Sequence, residues 1–364
     1  MKTTAEFTTQ TIDQEGQSSV GVAHPQEMGR HAVGEVLKTD PSYKFVFCLH
    51  APENSHAIAE ALQDCDVLAF EATGGSPEER LNRETIYTGL LSSRLPEDAR
   101  QEVLEALMKG DENDAFMAGI LKDLAMTDKR VVLVDIEENS PNYHLLKKME
   151  ATDYKYRTAI AKNALNDELK ILLVENIKAW ADASHTRENL VVSQLEEVQE
   201  QEATKVGVVM GAVHTPVQHE LARSGYDTDR VFVDTNSKGN IGEKAHYSYL
   251  NQAMRQLRLQ PDSQLESSFV DRTLLSDMYY TYAFSQEDKD KDGQSVGYIQ
   301  EHMSEKIQTE VIEAMSDVEV SNFLQKIDDL KRASRGRFIN KKNSKVQYQV
   351  KKLLDENQQA VRAK

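Results

Sequence analysis

The stretch FCLHAPENS, residues 47–55, ends an apolar run on His50 and places Pro52 two residues later. A second stretch, VVMGAVHTPVQ (208–218), repeats this arrangement, with His214 followed two residues later by another proline. A proline biases the preceding residue away from helical geometry and is well tolerated in the first turn of a helix. We therefore expect a strand, a sharp turn and a helix at both places, with a histidine closing each strand.

Each histidine belongs to a predicted strand–helix–strand unit. In the first unit, YKFVFCLH (43–50) is apolar enough for a buried strand, NSHAIAEALQDC follows as a helix, and DVLAFEA follows as the next strand. In the second unit, KVGVVMGAVH (205–214) and DRVFVDT (229–235) are the strands, and PVQHELARSG between them is the helix. Strands that alternate with helices form parallel sheets. The sequence thus predicts an α/β fold with a mainly parallel sheet built from two similar βαβ half-units.

The two units also place a carboxylate at nearly the same distance from the histidine. Glu71 closes the second strand of the first unit 21 residues after His50, and Asp234 does so 20 residues after His214. We expect each half-unit to offer an imidazole and a carboxylate at the carboxyl ends of neighbouring strands, where open α/β sheets bind their ligands. Asp135, at the end of a third predicted strand in KRVVLVDIEE, is a further candidate.

The rest of the chain divides by composition. A polar leader (1–40) lacks both the basic start and the apolar segment of a secretory signal. The α/β domain occupies 41–260 and carries a helical insertion at 77–200 between its half-units. From 261–364 the chain is polar and its pattern indicates helices, so we expect a helical C-terminal appendage that ends in a basic tail (331–364).

Charge limits the partners that the protein is expected to bind. The formal charge is -17 and the sequence pI is about 5.1, which argues against a general nucleic-acid or anionic-membrane binder because both partners favour positive surface. The tail 331–364 differs, since it holds eleven Lys or Arg and two acidic residues, a net of +9. The preceding 330 residues therefore carry about -26. Such a tail can dock onto an acidic partner or nucleic acid, fold back on its own acidic body, or end as a solvated helix.

Apolar runs and cysteines indicate the compartment. The longest apolar runs are far shorter than the roughly 20 residues of a membrane helix, so no membrane span is predicted. Cys48 and Cys65, the only cysteines, are too few and wrongly spaced for a metal ribbon or a redox pair. We therefore expect a cytoplasmic protein. The oligomeric state is left open.

Four features occur in the order that is typical of one known superfamily. GAVH (211–214) follows an apolar strand, an earlier strand ends in His50, LAFEA contains Glu71, and HTRENLVVSQLEEV (185–198) precedes the final histidine. Together they resemble the TraB/PrgY and Tiki group, whose superfamily includes erythromycin esterases and the ChaN-like proteins. Members have two GxxH motifs at strand ends, a glutamate after the second strand, and an arginine on the helix that leads into the last GxxH.

The resemblance covers about 43–235 and assigns roles to particular residues. Gly211 and His214 match the second GxxH motif, Glu71 matches the glutamate, and Arg187 matches the late arginine.

The first GxxH motif departs from the family pattern, because Phe47 stands where the glycine is expected, although His50 is in place. An early arginine often follows the glutamate closely in the family. Here Arg80 and Arg83 lie nine and twelve residues beyond Glu71.

Two neutral imidazoles and a carboxylate, from His50, His214 and Glu71, make an open site for a divalent transition metal such as Zn, Mn, Co or Fe. Such a metal lowers the pKa of its bound water to about 7 and polarises a carbonyl, as hydrolysis at neutral pH requires. Arg187 would then stabilise an oxyanion or hold a substrate carboxylate. Because Tiki members are described as metal-dependent proteases, the resemblance implies a metal-assisted hydrolase of amide or ester bonds that acts on a peptide or small molecule.

Two alternatives use the same positions. Erythromycin esterases use a histidine base without a metal, so the resemblance also allows a metal-free esterase. ChaN-like relatives are associated with haem or iron binding, which would make the protein a binder without catalysis. A Soret band on haem titration, without cleavage activity, would favour the binder.

Overall fold

The computed structural model describes residues 42–48, 50–110, 112–162, 167–202, 205–233, 249–260, 263–283, 311–334 and 344–363. The predicted leader (1–40) and Asp234 lie outside these residues. All of the described residues belong to one compact unit, Thr39–Lys364. Its sheet contains the strands β1 (Ser42–Cys48), β2 (Val67–Glu71), β3 (Arg130–Val134), β4 (Lys205–Gly211) and β5 (Asp227–Val233).

Every strand pair of this sheet is parallel, and the strand order is β3-β2-β4-β1-β5. The predicted α/β fold with a parallel sheet is confirmed. The two half-units do not lie side by side, however, because β4 separates β1 from β2, and β1 separates β4 from β5. Each crossover passes over the first strand of the other unit, so the strands within one unit are not neighbours as the sequence led us to expect.

The interleaved order follows from burying both faces of the sheet. Successive residues of a strand face opposite sides, so in β1 Val46 packs on one side and Phe47 on the other. The helix after β1 packs on the first side through Ile58, and the helix after β4 packs on the second side through Val217. Two right-handed crossovers that leave a central strand pair in opposite directions produce this arrangement. The junction of β1 and β4 is therefore the point at which the strand order reverses, where open α/β sheets bind ligands.

Helices cover both faces of the sheet and extend beyond it. The helices of the described residues are α1 (Ser55–Ala61), α2 (Pro77–Leu91), α3 (Glu97–Met108), α4 (Glu112–Asp123), α5 (Tyr143–Lys162), α6 (Asp167–Glu202), α7 (Thr215–Arg223), α8 (Tyr249–Leu259), α9 (Ser267–Ala283), α10 (Asp317–Ser334) and α11 (Ser344–Arg362). Helices α1 to α4 cover one face, while α7 and the last part of α6 cover the other. A search of the described part of the chain finds no helix with the length and apolar composition that crossing a bilayer requires.

Helix α6 connects the sheet to a separate layer of helices. Its 36 residues extend for about 54 Å. Near its start, Leu173 and Ile177 pack with α5 and with the C-terminal helices α8 to α11 in one apolar cluster. Near its end, Leu195 packs on the sheet. Arg187 lies between these two contacts, where α6 passes the carboxyl ends of the strands.

The chain makes a different turn after each of the two strands that precede the site histidines. β1 ends at Cys48, and His50 precedes a 3-10 turn, Pro52–Asn54, that leads into α1. In the second unit the 3-10 turn, Ala212–His214, comes directly after β4 and ends on the histidine itself. The two stretches therefore share their order of elements but not the position of the histidine within the turn.

Candidate functional site

Five titratable side chains meet at the carboxyl edge of the sheet. His50 follows β1, Glu71 ends β2, Asp135 follows β3 and His214 follows β4. Arg187 reaches the same edge from α6. Because of the strand order, the four strand-end residues lie along the edge in the order Asp135, Glu71, His214, His50. The residues that the sequence proposed for one site are thus brought together within the described part of the chain.

Glu71 lies at the centre of this network. Its Oε1 accepts a hydrogen bond from Nη2 of Arg187 at 2.6 Å and lies 3.3 Å from Nε2 of His214. Its Oε2 accepts a hydrogen bond from the backbone N–H of Gly211 at 3.0 Å and lies 3.9 Å from Nε2 of His50. Burial raises the pKa of this carboxyl, but His214, His50 and Arg187 together hold the pKa well below its ordinary value. Glu71 is therefore ionised at neutral pH.

Arg187 is bound by carboxylates of the chain itself. Its Nε donates to Oδ1 of Asp135 at 2.9 Å, and its Nη2 donates to Oδ2 of the same residue at 2.5 Å and to Oγ1 of Thr73 at 2.9 Å. Burial lowers the pKa of Arg187, yet the hydrogen bonds and charges of Asp135 and Glu71 raise it overall. The guanidinium thus joins the ends of β2 and β3 rather than standing open to a substrate.

Asp135 is held in a strained backbone conformation. Its φ is 126°, a region that residues with a side chain rarely adopt. Its N–H donates to Oε1 of Gln194 at 2.8 Å, and its carbonyl oxygen accepts from Arg80 at 3.0 Å. Its carboxylate also accepts from the hydroxyl of Thr73 at 2.6 Å. These contacts keep the buried carboxylate of Asp135 in place for Arg187.

His214 lies between two carboxylates. Its Nε2 is 3.3 Å from Oε1 of Glu71, and its Nδ1 is 3.3 Å from Oε1 of Glu188. Glu188 is buried and also contacts Arg258 of α8. The sequence reasoning missed Glu188, which directly follows Arg187 and lies in a polar stretch, His185–Asn189. Charged residues are frequent on α6, so only the contacts with His214 and Arg258 distinguish Glu188.

His50 has a different environment. Its ring stacks on Phe116 of α4, with ring centroids 5.1 Å apart and planes 16° apart. Its Nε2 is buried and has no hydrogen bond from the described residues. Burial lowers the pKa of His50, while the charge of Glu71 raises it less. His50 is therefore neutral at neutral pH.

A cavity of about 220 Å³ opens beside His50 and Glu71. It is lined by strand residues such as Phe70 and Leu133 and by residues of helices α2 and α4, the latter including Phe116 and Met117. Arg187 and His214 do not line this cavity. Of the predicted site residues, His50 and Glu71 can touch a molecule that enters it.

The two early arginines have separate positions. Arg80 is buried and donates to the carbonyl oxygens of Ala72 at 3.0 Å, Leu133 at 2.6 Å and Asp135 at 3.0 Å. It therefore satisfies one carbonyl group within the edge strand β3 and two that follow the ends of β2 and β3. Arg83, one turn further along α2, lines the cavity.

The arrangement does not fit a metal ion at His50, Glu71 and His214. Among the residues that the structure describes, no group of three or more His, Cys, Asp or Glu side chains is placed to hold one. Both oxygens of Glu71 already accept hydrogen bonds, and one of them comes from the Arg187 guanidinium at 2.6 Å. A second cation on this carboxylate would be repelled by the first. Metal binding stays a prediction from the sequence.

Comparison of the chain with protein-family models finds no match, and neither curated proteins nor solved structures match it. The superfamily resemblance is therefore a hypothesis that rests on the order and placement of His50, Glu71, Arg187 and His214.

Proposed function

We propose that the protein hydrolyses an ester or amide bond of a small substrate, with His50 as the general base. The observation that carries the proposal is the environment of the Nε2 atom of His50. This atom is buried without a hydrogen bond from the described residues, lies 3.9 Å from Glu71, and belongs to a residue that lines the cavity. A neutral imidazole with an unbonded nitrogen at a cavity is suited to take a proton from a water molecule there.

Glu71 supports this base without acting as one. Its pKa lies well below the ordinary value because His214, His50 and Arg187 favour its ionised form, so it is a poor proton acceptor at neutral pH. Its negative charge instead favours the imidazolium that forms when His50 takes a proton. His214 and Arg187 act through Glu71, because both contact its carboxylate from outside the cavity.

The bond changes of the proposed reaction are those of simple hydrolysis. His50 takes a proton from water while the water oxygen attacks the carbonyl carbon of the substrate. The tetrahedral intermediate then expels the alcohol or amine as its C–O or C–N bond breaks. The imidazolium of His50 returns the proton to the leaving oxygen or nitrogen. The products are a carboxylic acid and an alcohol or amine, and no oxidant or reductant is needed.

The alternatives have less support from the geometry. A metal-assisted reaction would require Glu71 to exchange its contact with Arg187 for a metal ion. A haem-binding protein would require a larger space, since drug-sized ligands already occupy pockets of roughly 300–1,000 Å³, and the cavity here measures about 220 Å³. A metal-free histidine-base hydrolase uses the groups as they are placed.

The test is hydrolysis of a panel of short-chain ethyl esters and anilides by the wild type and by His50→Gln and His214→Gln. We expect His50→Gln to lower kcat by at least about 100-fold, as loss of a general base does. Full activity of His50→Gln would rule out the proposal, whatever the activity of His214→Gln. Activity that requires added Zn, Mn, Co or Fe after treatment with a chelator would instead support the metal-assisted reaction.

A matched control is available on the surface. His56 is 84% exposed and pairs with Asp123 at 2.7 Å, away from the cavity. His56→Gln should therefore leave hydrolysis unchanged. Far-ultraviolet circular dichroism of all three variants should match the wild type, which separates loss of chemistry from loss of fold.

A further inference from the structure

Arg83 lines the cavity beside the proposed base, and among the described residues its guanidinium has no hydrogen-bond acceptor. It is half-buried on α2. Within the described ranges no hydrogen bond or ion pair is made by its guanidinium, whereas Arg80, one turn earlier, donates to three carbonyl oxygens. A partly desolvated cation is stabilised by a hydrogen-bonded partner, and the described residues supply no such partner to Arg83.

The local backbone makes room for this guanidinium at the cavity rim. A Cβ at Gly75 would lie 2.8 Å from Nη2 of Arg83, so a side chain at that position would displace the group. The nearby carboxylate of Glu79 is engaged in capping α2, where it accepts from the N–H and the hydroxyl of Ser76. Arg83 is therefore left facing a cavity that also contains His50.

We propose that Arg83 selects substrates that carry a free carboxylate near the bond to be hydrolysed. A guanidinium binds a carboxylate through two parallel hydrogen bonds. The apolar surface of Phe116, Met117 and Leu133 suits the short carbon chain between the carboxylate and the reacting carbonyl. Calling the bound molecule a substrate rests on the proposed hydrolase function. The binding of an anion at Arg83 does not depend on that function.

A carboxylate suits the cavity better than a phosphate. Glu71 and Asp114 also line the cavity, and Glu71 is ionised. A doubly charged phosphate meets about twice the repulsion from these groups that a singly charged carboxylate meets. The small volume of about 220 Å³ further favours a compact acid.

The experiment compares two esters that differ in charge, monoethyl glutarate and ethyl pentanoate, with the wild type, Arg83→Gln, and the control Arg94→Gln, whose side chain is exposed outside the cavity. We expect the wild type to prefer monoethyl glutarate. Arg83→Gln should lower kcat/KM for that ester by about 10- to 100-fold, mainly through KM, as expected for loss of a charge-assisted hydrogen bond. The same variant should leave ethyl pentanoate nearly unchanged, and Arg94→Gln should leave both unchanged.

Calorimetric binding of glutarate separates this inference from the proposed function. If neither ester is hydrolysed but glutarate binds the wild type and not Arg83→Gln, the anion subsite stands and the hydrolase proposal fails. If both esters are hydrolysed and Arg83→Gln affects them equally, the subsite is wrong and the hydrolase stands. Glutarate binding that is absent or equal in both proteins overturns the subsite, as does tighter binding of inorganic phosphate than of glutarate.

Discussion

The two site histidines have different ring environments, which suit them to different roles. His214 has a carboxylate at each ring nitrogen, 3.3 Å from Glu71 and 3.3 Å from Glu188. His50 has an aromatic ring against its face and an Nε2 without a hydrogen bond from the described residues. An imidazole fixed at both nitrogens orients its neighbours, while one with an unbonded nitrogen can exchange a proton with a substrate. The near repeat in the sequence therefore does not produce two equivalent histidines.

The lowered pKa of His50 predicts the pH dependence of hydrolysis. A general base must be neutral, so kcat/KM should fall as the pH falls through the pKa of His50. Burial places that pKa below the ordinary 6.5, so the acid limb of the profile should have its midpoint below pH 6.5. A profile of kcat/KM between mildly acidic and neutral pH measures this midpoint. A midpoint above 6.5 would contradict the assignment.

Replacement of Arg187 should lower the stability of the protein as well as its activity. Arg187→Gln leaves the buried carboxylates of Asp135 and Glu71 without their cation. Removing one partner of a buried ion pair costs about 3–5 kcal/mol, so we expect a loss of that size in the free energy of unfolding. Urea denaturation measures it. The control is Arg223→Gln, whose side chain is 76% exposed, and which should change stability by less than about 1 kcal/mol. Equal stability of both variants would show that the ion pairs of Arg187 with Asp135 and Glu71 do not stabilise the ends of β2 and β3.

At the level of elements, the position of α4 determines the shape of the cavity. This helix supplies Phe116, on which His50 stacks, and it approaches the start of α1 closely at Gly119. A Cβ at Gly119 would lie 2.6 Å from Cβ of Ser55 and 2.4 Å from its Oγ. Since Cβ of Ser55 is fixed to the backbone, α4 itself would have to move.

Gly119→Ala should therefore destabilise the protein although alanine favours helices. We expect a loss of about 1–3 kcal/mol from overpacking, with weaker hydrolysis because Phe116 moves with α4. Gly89→Ala is the matched control, since this glycine also lies in a helix and a Cβ there meets nothing within 4 Å. That variant should gain about 0.5–1 kcal/mol from helix propensity. Thermal unfolding compares the two, and the same sign of change for both would contradict the packing argument.

The strands and the residues at their ends are predictable from local pattern, and the strand order is not. The apolar runs around 43–50 and 205–214 each gave a buried strand followed by a turn, and the structure has β1 and β4 there. Nothing in the spacing of His50 and Glu71 shows that β4 lies between their strands. That order depends on which face each crossover helix buries, which is a property of the whole sheet.

Contacts that long side chains make between different helices and strands could also not be predicted from the sequence. Arg187 was placed in the site as a group for the substrate, whereas its hydrogen bonds go to Asp135, Glu71 and Thr73. Which partner an arginine finds depends on the register of α6 against the sheet edge, and a single sequence does not record it. Arg83 was likewise not distinguished from Arg80, because their difference lies only in the acceptors that surround them.

At the level of the whole molecule, the described part of the basic tail belongs to a packed layer of helices. Helix α11, which contains most of the described tail, lies against α9 and α10, and Leu354 is fully buried in the cluster that they share with α6. Of the three possibilities for the tail, packing against its own chain accounts for these residues. The contact is apolar, however, while the charge difference between tail and body led us to consider an electrostatic one.

Helix α11 should consequently stay docked at high salt and detach when its apolar anchor is replaced. Salt screens charges but does not weaken the burial of Leu354. We expect hydrogen exchange of the amides of Ser344–Arg362 to be equally slow at low and high salt in the wild type, because detaching the helix exposes buried apolar surface. Leu354→Asp places a charge in that cluster and should cost at least about 3 kcal/mol, which speeds exchange in α11 while the sheet stays protected. Lys352→Ala, in which an exposed residue loses its pair with Glu356, should leave exchange unchanged. Faster exchange of α11 in the wild type at high salt would mean that charge, not apolar packing, holds the tail to the body.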